Sequence, residues 1–429
     1  MTPSASRSGN RTGVAATVAA ACFIGAAGGA HATDGYFSQG YGVQSKGIAG
    51  AGLALSKETL AIANNPAAAF ALGNRVDVDL DYFQADRHAS LVGNAYGADQ
   101  TFDGNGGGPS PIPEFGLTRR LSERWAIGLA VYGNGGMATD YKTNPFGRFG
   151  ASGPAGVSLV QVFIAPTLAY QIAPGHSLGV SLDIGGQQFK AHGVQPFAGY
   201  SINPANFTNR ASTTAWGYGA KVGYVGQWTP RLSVGAFYQS RTFSDKFGKY
   251  AGLFAEGGGF DIPSSYGVGL AYKATDRLDL IADVHRIDYA EIASVGHPLG
   301  LLFAGNPFGS ANGPGFGWRN VTAVKLGVNY TIDPAWQVRA GWGYATNPVP
   351  ASQTLLNILA PGVVTNQFTV GATWTHPSGL QVSAYALEAP RNTVRGSGSI
   401  PGGAGGFGGG EANISLAETA FGLGLGWRY

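Results

Sequence analysis

The 429-residue chain has little cysteine, little charge and few long apolar runs. Its single cysteine, Cys22, lies in an N-terminal stretch with the marks of a secretory signal. Arg7 and Arg11 precede the small apolar run GVAATVAAACFIGAAGG, and Ala30-His31-Ala32 supplies an A-x-A cleavage site. Residues 1–32 therefore read as a signal peptide, removed before Thr33. The mature chain then has no thiol, which excludes disulfides and cysteine chemistry. A membrane anchor is the rival reading, but the run is short and rich in alanine. Lipidation at Cys22 lacks a leucine-like residue three positions earlier.

Charged residues make up 12% of the chain, about half the usual share. A net charge of +3 gives no footing for nucleic-acid binding. After the signal, no apolar run is long enough for a membrane helix. Yet aromatics reach 12%, glycines number 70, and mean hydropathy is +0.01. Few charges and many aromatics, without strong hydrophobicity, suit membrane strands whose two faces differ.

Alternation of period two runs through the chain. The C-terminal FGLGLGWRY sets Phe421, Leu423, Leu425, Trp427 and Tyr429 against Gly422, Gly424, Gly426 and Arg428. RVDVDLDYF sets Val76, Val78, Leu80 and Tyr82 against Asp77, Asp79 and Asp81. Similar segments lie near Ile112, Trp125, Leu159, Leu178, Trp216, Leu232, Ile262, Leu278, Val324, Trp336, Gln367 and Leu380. The total is about fourteen, an even number, as closed bacterial barrels have. Short turns such as Ser122–Arg124, Thr229–Arg231 and Asp333–Ala335 alternate with long Gly-, Asn- and Pro-rich loops such as 134–157 and 292–318. Trp125, Trp228, Trp336, Trp374 and Trp427 gather near the short turns or the chain end, as an interfacial girdle does. These patterns predict an all-β fold: a transmembrane antiparallel β-barrel over 75–429 in the outer membrane of a Gram-negative bacterium. A soluble sandwich fits poorly, since glycine- and charge-bearing inner faces make a poor dry core. The final aromatic resembles the C-terminal signal that the barrel assembly machinery reads.

Residues 33–74 break the pattern. They are small, Gly/Ala-rich and weakly helical, and they precede the first strand. They read as a hatch, a plug in the lumen, rather than a disordered tail, because they lack the charge and proline of disorder. Their GYGVQSKGIAGAGLAL and NNPAAAF resemble the hatch of FadL-type outer-membrane transporters of long-chain fatty acids and other hydrophobic compounds. Asn65, Pro66 and Ala67 match that family's Asn-Pro-Ala motif. YGNGGMATDY and WQVRAGWGYATNPVPASQTLLNILAP continue the resemblance. Many members carry an acidic pair before the motif, and this chain has Ser56-Lys57-Glu58-Thr59 instead. The resemblance implies a fourteen-stranded monomeric barrel closed by the hatch. It also implies an inward kink of the third strand beside the Asn-Pro-Ala segment, through which ligand leaves sideways. The matching residues are Gly133, Asn134, Gly135 and Gly136. An ordinary glycine-rich strand end is the other reading of that stretch.

Several outer loops are apolar. Leu253, Phe254, Leu301, Leu302, Phe303, Leu355, Leu356, Ile358 and Leu359 are candidates for capturing a hydrophobic small molecule. Equally, these loops could pack together and close the barrel top. Lys221, Lys325 and Arg339 turn inward and are head-group candidates, unless they pair with Asp77, Asp79, Asp183, Asp279 or Asp283 in the wall. The histidines show no metal-ligand spacing, and no nucleophile elbow or phosphate loop is present. No cofactor is expected, and an enzyme is not, although a hydrolase site built from separate strands would leave no such spacing. The expected function is passive transport of hydrophobic molecules past the lipopolysaccharide layer. A structural or adhesive barrel and a general porin are the alternatives.

Overall fold

The computed structural model describes residues 34–429. The signal-peptide assignment, 1–32, lies outside the described residues. Fourteen antiparallel strands form the wall. They are β1 (Arg75–Val92), β2 (Ser110–Arg120), β3 (Trp125–Tyr141), β4 (Ala155–Ala173), β5 (His176–His192), β6 (Thr213–Gln227) and β7 (Leu232–Gln239). There follow β8 (Ser265–Lys273), β9 (Leu278–Ile287), β10 (Val321–Thr331), β11 (Trp336–Ala345), β12 (Asn366–Thr375), β13 (Leu380–Val394) and β14 (Glu411–Arg428). Each strand pairs with the next, and β14 returns to β1, from Arg75 opposite Arg428 to Val92 opposite Glu411. The sheet closes on itself, so every wall strand has a neighbour on both sides. The two short strands Gln100–Asp103 and Phe243–Ser244 are side branches of the outer loops. Among the described residues no helix is long and apolar enough to cross a membrane.

The period-two pattern sorts the side chains as the sequence predicts. Val78, Leu80, Phe421, Leu423 and Leu425 are exposed on the outer face. Asp77, Asp79 and Asp81 are buried on the inner face, opposite Gly426, Gly424 and Gly422. A Cβ at any of those glycines would overlap the facing aspartate. The glycine stripe is therefore the space that the carboxylates need. Trp125, Trp228, Trp336 and Trp427 are exposed at the short-turn end. The turns close alike: the Leu121 amide bonds the Trp125 carbonyl at 2.8 Å, Trp228 bonds Leu232 at 2.9 Å, and Ile332 bonds Trp336 at 3.0 Å.

The lumen is filled by residues 34–74, which carry three short helices: α1 (Val43–Lys46), α2 (Ala61–Asn64) and α3 (Ala68–Leu72). No side-chain cap or helix length stabilises them on their own. The wall holds them. Asp79 accepts from the Val43 amide at 3.0 Å, Asp77 from the Thr59 amide at 2.8 Å, and Asp283 from the Gly52 amide at 2.7 Å. Lys46 pairs with Asp81 and, at 2.9 Å, with Glu114. Buried charges need such partners.

Candidate functional site

The wall is incomplete between β2 and β3. Pairing of these strands runs from Arg120 opposite Ala126 to Phe115 opposite Val131 and stops there. β2 continues along β1 as far as Ser110 opposite Phe83. β3 continues along β4 to Tyr141 opposite Ala155. Between residues 110–114 and 132–139 there is no ladder. The two prolines of SPIPEF account for one edge of this window. N–H directions alternate along a strand, so a ladder to β1 through 110–114 takes its donors from Ser110, Ile112 and Glu114. Pro111 and Pro113 then face β3, with no N–H to donate. The Ile112 side chain reaches into the gap beside Gly133.

The other edge is the kink. Register shifts between Gly133 and Gly135, so Asn134 is an extra residue in the ladder. Gly135 has φ 140°, a value open to glycine. The freed backbone turns to the N-terminal segment. Ser38 donates to the Asn134 carbonyl at 2.9 Å, and Gly136 donates to the Tyr36 carbonyl at 2.9 Å. A Cβ on Gly135 would overlap that carbonyl. Asn134 also accepts from the Tyr41 phenol at 2.7 Å and donates to Gln161 at 3.0 Å.

The Asn-Pro-Ala motif is not beside the kink, and this corrects the expectation. Asn65 Nδ2 donates to the carbonyls of Leu53 and Tyr224, each at 2.9 Å. Ser177 Oγ donates to the Ala67 carbonyl at 3.1 Å. Pro66 rests on Gly179 and Gly223, where any Cβ would collide with the motif. The motif thus lies against β5 and β6. Its link to the kink is indirect: Asn64 and Tyr41 are hydrogen-bonded, and Tyr41 bonds Asn134.

The three cations do not pair with the five aspartates named above; the N-terminal segment takes two of them. Lys325 pairs with Asp34 at 2.8 Å and donates to the Gln39 carbonyl. Lys221 donates to the Ala63 carbonyl at 2.5 Å and to the Tyr132 phenol at 3.3 Å. Arg339 donates to Thr373 Oγ1 and packs on Gly47. The plug, a chain segment with few charges of its own, occupies them because its backbone carbonyls need donors.

The apolar loop residues separate into two groups. Leu253, Phe254, Leu356 and Leu359 line a small cavity with Val157, Phe189, Phe197, Phe207, Phe308 and Phe316. Leu355 and Ile358 are buried, Leu302 nearly so, and Leu301 half-buried, none of them on that cavity; Phe303 is 48% exposed. The loop is tied to β3 beyond the kink: Tyr141 donates to the Ile358 carbonyl at 2.8 Å and Thr139 to the Leu359 carbonyl at 2.9 Å. Val157 also lines a second cavity, of about 200 Å³, which opens at the window between Ser110 and Ala138–Asp140. The sequence reading passed over Tyr36, Ser38, Pro111, Pro113 and Val157. Only the prolines left a signal, as breaks in a strand pattern.

A plugged barrel with an interrupted third strand invites comparison with known proteins. Residues 29–387 match the model of the outer membrane protein transport family (OMPP1/FadL/TodX). The chain belongs to that family. Its fold is similar to a Pseudomonas aeruginosa FadL homologue at 17% identity and TM-score 0.67, covering 92% of this chain and 99% of the other. It is similar to the Pseudomonas putida toluene transporter TodX at 16% and 0.66, covering 92% and 100%. It is also similar to the Ralstonia pickettii toluene transporter TbuX at 18% and 0.64, covering 91% and 99%. No curated protein matches the chain. Membership places it in the outer membrane as a transport protein, not an enzyme.

Proposed function

We propose that this protein carries hydrophobic molecules passively across the outer membrane and releases them sideways through the window between β2 and β3. The observation that carries this reading is the window itself, an interrupted ladder beside a lumen filled by residues 34–74. A polar-solute pore needs an open axis. Here the axis is occupied, and the cavity at the window is lined by Ser110, Ala138–Asp140 and Val157 together with the polar Arg87, Ser158, Lys190 and His192. Leu253, Phe254, Leu356 and Leu359 receive the ligand from the outside, and Val157 borders both their cavity and the one at the window. Gly133–Gly136 hold the kink, and Asn65–Pro66–Ala67 anchor the plug to β5 and β6. The related toluene transporters and FadL homologue make aromatic hydrocarbons and fatty acids the probes to try. The barrel works as a monomer, folded by the assembly machinery among outer-membrane lipid and lipopolysaccharide.

Uptake of labelled toluene and oleate is measured in a strain lacking the gene, with and without the protein restored. Restoration raises hydrophobic uptake. Unchanged hydrophobic uptake together with faster small-sugar diffusion would establish a porin instead.

A further inference from the structure

Arg87 and Glu418 stand out on the inner wall: among the described residues Glu418 has no hydrogen-bond partner and Arg87 has only a backbone carbonyl. Glu418 is 1% exposed, and neither of its carboxyl oxygens has a hydrogen-bond partner. Arg87 is 9% exposed, and its side chain makes one hydrogen bond, from Nη1 to the Ala85 carbonyl at 3.3 Å. Register explains why the two do not pair. Glu418 lies opposite Ala85, so Arg87 is its diagonal neighbour on the same face. Diagonal neighbours stand about 7–8 Å apart at the backbone. A space is left between a guanidinium and a carboxyl that face the same lumen.

That space is a cavity of about 20 Å³, lined by both residues with Tyr36, Gly136, Met137 and Trp318. About 10–15 Å³ measured in this way holds one water. The cavity therefore takes one small polar group and no more. Arg87 and Ala138 also line the cavity at the window, of about 200 Å³. A small polar pocket thus adjoins a larger one on the proposed exit route.

We infer that Arg87 and Glu418 form a head-group site for ligands that carry a hydroxyl on an apolar body. The inference rests on the transport reading above and narrows its ligand class. A hydroxyl donates one hydrogen bond and accepts two. It can donate to Glu418 and accept from Arg87, which satisfies both. A pure hydrocarbon leaves both unpaired and displaces any water there. A carboxylate suits Arg87 but meets the Glu418 carboxyl; an ammonium suits Glu418 but meets Arg87. Buried polar groups built for one partner reject the analogue that lacks it, since the loss is a full desolvation penalty.

The test compares uptake of radiolabelled 1-dodecanol and dodecane, each relative to cells lacking the protein. The variants are Glu418→Leu, Arg87→Met and the near-isosteric Glu418→Gln, all checked for heat-modifiable mobility. The ratio of dodecanol to dodecane uptake falls about tenfold in Glu418→Leu and Arg87→Met. It stays near wild type in Glu418→Gln, whose amide oxygen still accepts. A structural role for the pair would lower uptake of both probes together and leave the ratio unchanged. An unchanged ratio in folded Glu418→Leu overturns the inference while leaving hydrocarbon transport intact. Failure of the wild-type protein to raise uptake of either probe overturns the transport reading, and this one with it.

Discussion

The phenol of Tyr41 donates a 2.7 Å hydrogen bond to Oδ1 of Asn134, the residue squeezed out of the β3–β4 ladder. This bond joins those of Ser38 and Tyr36 in tying the plug to the kink. Replacing the phenol by the Phe ring in Tyr41→Phe removes about 1 kcal/mol of net stabilisation. Exchange of the Gly136 amide, which is held by the Tyr36 carbonyl, should rise about fivefold. Unchanged Gly136 protection would mean that the kink does not depend on the Tyr41 phenol.

The proline pair should keep the window open. Pro111→Thr with Pro113→Thr restores two donors on the β3 edge of β2. Two new hydrogen bonds at about 1 kcal/mol each favour a zipped ladder about thirtyfold. Hydrophobic uptake falls in proportion while the barrel remains heat-modifiable. Full uptake in a correctly folded double variant would show that release takes another path.

Gly135 faces the plug rather than the gap. Gly135→Leu should displace Tyr36 to Ser38, because the new side chain overlaps the Tyr36 carbonyl. The expected result is a leak of small polar solutes, read as sensitivity to a hydrophilic antibiotic. An impermeable, folded variant would show that the lumen seals without these residues.

Glu58 makes plug docking depend on pH. Burial, then the Asp77 charge, push its carboxyl up from 4.5 to about 7, against the opposing bonds from the Ser45 and Gln44 amides and the Arg339 charge. Those amides lie 3.0 Å and 2.8 Å from the carboxyl oxygen. A raised acid favours the docked state fully below pH 4.5 and loses that contribution as pH rises to 7. Protection factors of the Gln44 and Ser45 amides, corrected for intrinsic exchange, should fall about tenfold or more between pH 5 and 8. Glu58→Gln should flatten that profile, and a wild-type profile that is already flat contradicts the assignment.

The terminal strand should carry assembly. Phe421→Ser, Leu423→Ser and Leu425→Ser together remove three lipid-facing side chains, each worth about 1.5–3 kcal/mol on burial. The triple variant should lose its heat-modifiable band on a gel. Normal mobility would show that β14 is not held by lipid.

Much of the fold was legible because a strand between lipid and lumen repeats every two residues. Leu423 outward and Gly424 inward follow from that period alone, as does the existence of each of the fourteen strands, although β3 runs on to Tyr141 through a stretch that reads as loop. Extending the same phase to Arg87 and Glu418 would have turned both inward. The plug has no period, so nothing in NNPAAAF says that it crosses the lumen to Gly179 and Gly223. The effect of Pro111 and Pro113 depends on which neighbour their nitrogens face, and register decides that. Apolar loops announce themselves by composition, but only packing separates buried Leu355 from exposed Phe303. The cations at 221 and 325 looked available because the sequence does not show which carbonyls the plug leaves without donors.

The glycine stripe of β14 bears on the order in which the molecule is put together. Asp77, Asp79 and Asp81 lie opposite Gly426, Gly424 and Gly422, so the last strand adds no side chain there to the socket that grips the plug. That part of the socket is carried by β1 alone. Thr59 to Asp77 spans 18 residues and Val43 to Asp79 spans 36, whereas the β1–β14 seam joins the two ends of the barrel. Short loops close at lower entropic cost than long ones. Loop length therefore favours docking of the plug on β1 over closure of the seam, so that the wall is wrapped around its own stopper.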